Sequence, residues 1–134
     1  MLLIRHARAG KRSEWHGDDR RRPLDERGRR QAVALVDELA PFPIERILSS
    51  PYTRCVQTIE PIAAQRGLEI ELRSELGEER QHDAGAALAR GLAGEPVALC
   101  VHGGLSDAAF GVSQKKGETL AVDPAGRVAE RRRV

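Results

Sequence analysis

Apolar positions along the chain recur in two periods, and the period changes from segment to segment. "MLLIR" (residues 1–5) is a short apolar run and reads as a buried strand. Residues 6–24 show no period and read as a loop, long enough in a small chain to suggest function. From Asp25 the spacing becomes helical: Ala32, Leu35, Val36 and Leu39 fall at i, i+3, i+4 and i+7. Asp25 is the expected N-cap, and Pro41 and Pro43 end the helix. "IERILSS" (44–50) is a second strand. A second helix follows, with Ser50 as its expected cap and Pro51 at its first position. Pro61 is expected to kink or split this helix, and Gly67 to stop it. "LEIELR" (68–73) alternates as a strand, and residues 83–93 form an Ala- and Leu-rich helix. "PVALCV" (96–101) is a continuous apolar run, as in a strand covered on both faces. "GGLSDAAFG" (103–111) turns back as a short helix. Residues 117–134 read as a hairpin turning at Asp123-Pro124-Ala125-Gly126, with Arg131, Arg132 and Arg133 solvated and frayed.

Strands that alternate with helices point to an α/β fold: a three-layer sandwich with a largely parallel central sheet and the C-terminal hairpin at its edge. The 134 residues fit one domain, without internal repeat, linker or low-complexity segment. Aromatic residues are only 3%, so Leu, Ile, Val and Ala must build the core. The 22 basic and 20 acidic side chains leave a net charge of +2, which gives no general drive toward nucleic acid. The basic residues are nearly all arginine and crowd the first thirty positions. Arginine presents a planar fork suited to phosphate and carboxylate oxygens, although many such side chains serve only as a salt-bridged surface. Cys55 and Cys100 are isolated, and reduced thiols in a cytoplasmic protein are expected. No segment approaches the roughly 18 apolar residues of a membrane span, and the first residues lack a signal-peptide pattern.

Chemistry concentrates where the strands end. "LLIRH" places His6 just past one apolar run, and "VALCVH" places His102 just past another. Open α/β sheets hold their ligands at the carboxyl ends of strands. Parallel, adjacent strands would therefore bring both histidines to one edge, with Arg5 beside the first. Arg54 joins them from the start of the helix after a third strand, whose N-terminal N–H groups also favour an anion. A histidine at a strand end is often an ordinary structural residue. Two at matching ends, with two arginines, point to a pocket for a phosphoryl group.

These residues carry a resemblance. "LLIRHARAG" resembles the R-H signature of the histidine phosphatase superfamily, in the form used by its small bacterial, phosphohistidine-phosphatase-like branch. "WHGDDRRRPLDERGRRQA", "ILSSPYTRCVQT", "LGEE" and "VHGG" resemble further segments of that branch, in the same order along nearly the whole chain. The resemblance implies a phosphoglycerate-mutase-like fold and a metal-independent phosphatase. In it His6 is the nucleophile that becomes phosphorylated, and Arg5, Arg54 and a protonated His102 hold the phosphoryl group. Glu78 is the proton donor, with Glu79 the second choice. Arg8, Trp15 and Gly103 are added as substrate contacts, and His16, Asp18 and Asp19 as edges of the pocket. A neutral imidazole has a lone pair and needs no separate base to attack phosphorus. A retained acid leans toward O-phosphoesters over phosphohistidine, because an alkoxide needs the proton more.

The segments that cap the pocket in larger members are short here. An open site that admits a phosphorylated small molecule, a bulky nucleotide or a phosphoprotein is expected, and glycolytic mutase activity is disfavoured. No cofactor or metal is expected. There is no Walker loop, no zinc pattern and no Nudix box, so any Nudix partner lies outside this chain. Two rivals stand beside the phosphatase: an idle phosphate- or phosphoprotein-binding module on the same fold, and an Arg-rich nucleic-acid binder. The near-neutral charge and scarce aromatics count against the last.

Overall fold

Side chains alternate across a strand, and the first strand uses both directions to bury itself. The computed structural model describes residues 1–78 and 82–134. In chain order the elements are β1 (Leu2–Arg5), α1 (Glu26–Glu38), β2 (Arg46–Ser49), α2 (Thr53–Arg66), β3 (Ile70–Leu72), α3 (Asp83–Gly91), β4 (Val97–Val101), α4 (Leu105–Phe110), β5 (Thr119–Val122) and β6 (Val128–Arg132). Leu2 and Ile4 join Ile47, Ala98 and Cys100 against Leu35 and Leu39 of α1 and Ile59 and Ile62 of α2. Leu3, Leu48, Leu99 and Val101 point the other way, against Ala89 of α3 and Leu105 of α4. These two apolar layers make the sheet the middle of a three-layer sandwich.

The strand order is β3-β2-β4-β1-β5-β6. The first four strands of that order run parallel, and Arg5 of β1 lies opposite Val101 of β4. The hairpin adds β5 antiparallel to β1, with β6 on the outer edge. Its turn forms where expected: the Asp123 carboxylate accepts from the N–H groups of Ala125 and Arg127, at 2.9 and 3.0 Å.

Asp25 caps α1 by accepting from Gly28 N–H at 2.7 Å. Gly28 also lets the segment after His6 lie directly on the helix. A Cβ there would sit 1.9 Å from the Arg8 carbonyl oxygen, so any side chain would push that segment away. Ala7, Ala9, Leu24 and Ala32 complete the seam.

Four local expectations are corrected. Ser50 does not cap α2; the helix starts at Thr53, Tyr52 occupies the cap position, and Pro51 lies outside it. Pro61 does not split α2, which runs unbroken to Arg66. An interior proline costs about 3 kcal/mol, and burying Ile59 and Ile62 at roughly 1.5–3 kcal/mol each offsets it. The 6–24 loop contains two short 3₁₀ turns, Arg12–Glu14 and Asp19–Arg21. Arg131 and Arg132 belong to β6, and both are anchored: Arg131 donates to Ser113 O at 2.9 Å, and Arg132 lies 3.5 Å from Glu38.

Candidate active site

β1 and β4 are neighbours, so the residues that follow them meet. His6 N–H donates to Val101 O at 3.0 Å, and the His6 and His102 rings lie edge to face with centroids 5.5 Å apart. His6 Nδ1 is 2.7 Å from Ala7 O. A carbonyl only accepts, so Nδ1 carries the hydrogen and Nε2 keeps its lone pair. On His102 the tautomer is set from the other side. Ser50 Oγ lies 2.8 Å from His102 Nε2 and accepts from Tyr52 N–H at 3.3 Å; a hydroxyl can give or take the bond to Nε2, and the acceptor-only Glu78 carboxylate on the Nδ1 side favours Ser50 as the donor. His102 Nδ1 then carries a hydrogen, 3.7 Å from Glu78 Oε2. The seryl side chain expected to cap α2 thus orients a histidine.

Two guanidinium groups complete the floor. Arg54, from the first turn of α2, is only 1% exposed. It donates to Asp19 O at 2.8 Å and Asp19 Oδ2 at 3.1 Å, contacts Glu78 Oε2 at 2.5 Å, and stacks over the Tyr52 ring at 4.8 Å. Arg5 donates to Gln114 O at 2.6 Å. The Gly103 backbone lies against it; a Cβ there would meet Arg5 Cζ at 2.8 Å. Buried donors are normally paired. Yet Arg5 Nε, Arg54 Nε and His102 Nδ1 are three of the six buried side-chain polar atoms without a partner among the described residues. An oxyanion with several acceptor oxygens would satisfy such a set.

Arg5, His6, Arg54 and Glu78 line a cleft of about 460 Å³, with Arg12, Arg22 and Lys116 also on its walls. That volume lies within the usual range for small-molecule sites, roughly 300–1,000 Å³. Burial, then the nearby Arg54 and Arg5 charges, push His6 down to about 3. Burial, His6 and Arg54 push His102 down to about 2. Both rings are neutral at physiological pH. For His6 this is the form whose ring nitrogen keeps a lone pair free for nucleophilic attack. For His102 it corrects the expected protonated ring: His102 offers a neutral N–H. Among the described residues no group of three or more His, Cys, Asp or Glu could hold a metal ion.

Residues 1–87 match the sequence model of the histidine phosphatase superfamily (branch 1). The chain belongs to that superfamily. Among solved histidine phosphatases, the putative phosphohistidine phosphatase SixA from Agrobacterium tumefaciens superposes with a TM-score of 0.82 at 22% identity, covering 99% of this chain and 96% of that one. The protein histidine phosphatase SixA complexed with tungstate superposes with a TM-score of 0.75 at 20% identity, covering 97% and 94%. These likenesses show the shared fold. An 8-oxo-(d)GTP phosphatase from Mycolicibacterium smegmatis is 41% identical over 108 residues, which are 77% of this chain and 34% of that protein. The chain thus spans about a third of the length of this curated relative.

Within this superfamily member, Arg5, His6, Arg54 and Glu78 line the cleft and His102 stands beside His6 and Glu78, whereas Arg8, Trp15 and Gly103 do not line the cleft. Arg8 turns to Asp25 at 3.1 Å. Trp15 donates from Nε1 to Asp18 O at 2.9 Å and faces adjoining surface cavities. His16 is exposed, and Asp18 pairs with Arg20 at 2.6 Å. Asp19 is drawn inward, binding Arg54 and Arg22 at 3.1 and 3.0 Å. Glu79 lies outside the described residues. Sequence reasoning missed Ser50 as the partner of His102, and missed Arg12, Arg22 and Lys116. Lys116 carries no motif. It arrives because Gly117 N–H donates to both Arg5 O and His6 O at 3.1 Å, which ties the turn before β5 to the site. Both cysteines are free and buried. Among the described residues no helix is long and apolar enough to cross a membrane.

Proposed function

We propose that this chain is a metal-independent phosphatase that works through a phosphorylated His6. The observation that carries the reading is the pairing of a neutral His6, its Nε2 lone pair free, with three unpartnered buried nitrogens of Arg5, Arg54 and His102. In the first step His6 Nε2 forms a bond to phosphorus as the bond to the leaving oxygen breaks. Arg5, Arg54 and His102 Nδ1–H stabilise the negative charge on the phosphoryl oxygens. The departing oxygen takes a proton from Glu78, an effect worth roughly 10²–10⁴-fold. A water then attacks phosphorus, Glu78 takes its proton, and the bond to His6 breaks to release phosphate.

Glu78 holds Arg54 and Arg12 in the absence of a phosphoryl group, at 2.5 and 3.2 Å. A dianion arriving on Arg54 competes with the Glu78 carboxylate for the same guanidinium and brings the leaving oxygen beside Glu78. The substrate is a phosphorylated small molecule or a phosphoprotein. The acid favours a phosphomonoester over phosphohistidine, because an alkoxide leaving group needs the proton more.

The test uses p-nitrophenyl phosphate labelled on phosphorus, quenched during turnover. Acid-labile, base-stable label on the protein, absent in His6→Ala, is the expected result. Turnover retained in His6→Ala overturns the mechanism. Tight phosphate binding with no turnover of any phosphoester or phosphohistidine peptide would identify an idle binding module. Activity should persist in EDTA.

A further inference from the structure

The two arginines of the cleft floor are held by different means. Arg54 is gripped by the carboxylates of Asp19 and Glu78. Arg5 has no carboxylate partner among the described residues. Its guanidinium makes one hydrogen bond there, from Nη1 to Gln114 O at 2.6 Å, and the Gly103 backbone packs against it. A neutral carbonyl fixes a cation without offsetting its charge, whereas a carboxylate would compete with incoming phosphoryl oxygens. The aim of Arg5 therefore rests on how firmly that one carbonyl is held.

Residues 111–118 link α4 to β5. A glutamine in such a link is ordinarily exposed, yet Gln114 is only 6% exposed. Its Nε2 donates to Leu3 O of β1 at 2.6 Å and to Glu118 O at 2.8 Å. A carboxamide nitrogen has two hydrogens, and both are used. Glu118 O also accepts from Arg5 N–H at 3.0 Å. The side chain thus ties its own residue to the strand that carries Arg5, while the main-chain carbonyl of the same residue takes the guanidinium. The rest of the link is fastened separately. Lys115 N–H donates to the buried Glu118 carboxylate at 2.9 Å, and Arg131 donates to Ser113 O at 2.9 Å. What the carboxamide alone fixes is the carbonyl that meets Arg5.

We propose that Gln114 is the positioning residue for Arg5: its carboxamide locks the carbonyl that aims an uncompensated guanidinium at the phosphoryl group. The proposal rests on the phosphatase reading only in taking Arg5 as a phosphoryl ligand, and anion binding tests it without turnover. Gln114→Met keeps the length of the side chain and removes both donors.

Inorganic phosphate binding to the full chain is measured by calorimetry. Gln114→Met should weaken it about tenfold, as expected from misdirecting one charge-assisted hydrogen bond. Arg5→Ala should weaken it at least as much. Adding Gln114→Met to Arg5→Ala should then cost less than about twofold, because Gln114 acts through the side chain already removed. A general structural role would weaken binding equally in both backgrounds. The Arg5 Nε–H resonance, assigned by its loss in Arg5→Lys, should shift with phosphate in the intact protein and collapse toward the solvated guanidinium position in Gln114→Met. Should Gln114→Met fail to fold, Gln114→Asn, whose carboxamide is one methylene short of both carbonyls, is read in the same way. Unchanged phosphate affinity in a folded variant, or a full tenfold loss on top of Arg5→Ala, overturns the proposal. Absence of turnover with every phosphoester, together with the coupled loss of phosphate binding, would remove the phosphatase and leave the Gln114–Arg5 link standing.

Discussion

The two ends of the central sheet are built from the same strands and differ in how their polar groups are settled. At the amino end, Met1, Phe42, Pro43, Pro96 and Ala121 enclose a small apolar cavity, and the terminal ammonium is satisfied by Val122 O at 3.1 Å. At the carboxyl end, Arg5 Nε, Arg54 Nε and His102 Nδ1 are buried without partners among the described residues. An unpaired buried donor costs about 1–3 kcal/mol, more when charged, so the carboxyl end is held in an unfavourable state by the rest of the fold. The difference accords with the proposed function: an end that only closes the core can satisfy itself, whereas an end that receives an anion leaves donors open for it. The parallel β1–β4 pair makes the asymmetry possible, because it delivers two histidines to one edge and none to the other.

The sharpest way to break this contrast is to remove the proposed nucleophile. His6→Ala should lower kcat by at least about 10⁴-fold, measured as phosphate release, while thermal unfolding shows a folded protein. Arg54→Ala should lower kcat/KM by about 10²–10³-fold. Arg54→Lys should restore little of it, because one ammonium cannot serve Asp19, Glu78 and a phosphoryl group as the guanidinium does.

The seam under the site gives a smaller effect. Gly28→Ala improves helix propensity by about 1 kcal/mol but drives a methyl into the Arg8 carbonyl. The clash wins, and urea unfolding should show a net loss of about 1–3 kcal/mol together with reduced activity.

The pH dependence sharpens the contrast further. His6 and His102 have folded values of about 3 and 2, below the ordinary 6.5 of an unfolded histidine. The unfolded chain therefore binds more protons as pH falls below 6.5, and stability is lost in that direction. Each ring contributes up to about 2 kcal/mol of loss at pH 5, and His6→Phe should flatten the slope of unfolding free energy against pH between 6.5 and 5. Phosphoenzyme formation, by contrast, should show no fall attributable to His6 near pH 6.5, since its lone pair persists to about pH 3. At the opposite end of the sheet, filling the apolar cavity with Ala129→Leu should change kcat/KM by less than about twofold.

Much of this arrangement was legible in the residues. The i, i+3, i+4, i+7 spacing marked α1, with Ala32, Leu35 and Leu39 buried, and the Asp25 cap forms. His6 and His102 could be placed at one edge because strand ends and parallel order follow from a repeating β-α pattern. Ser50 was legible as a polar residue before a helix and misread as its cap. The partner it chose, His102, lies 52 positions away, and local capping rules carry no information at that distance. Asp19 and Lys116 are the same case: each looks like an ordinary loop charge until the fold seats it beside Arg54 or His6.

What the sequence determined by itself is what neighbouring residues decide among themselves: which segments are strands or helices, which face of each is apolar, and which residue types stand at the ends. What only the tertiary structure decided is which distant groups share a space. It left Arg5, Arg54 and His102 with open donors and turned Trp15 away from the cleft toward a separate surface cavity. It also made His102 neutral where a charged ring was expected. The physical reason is that periodicity is a short-range property of a chain. Desolvation and charge pairing depend on everything within a few ångströms, whatever its position in the sequence.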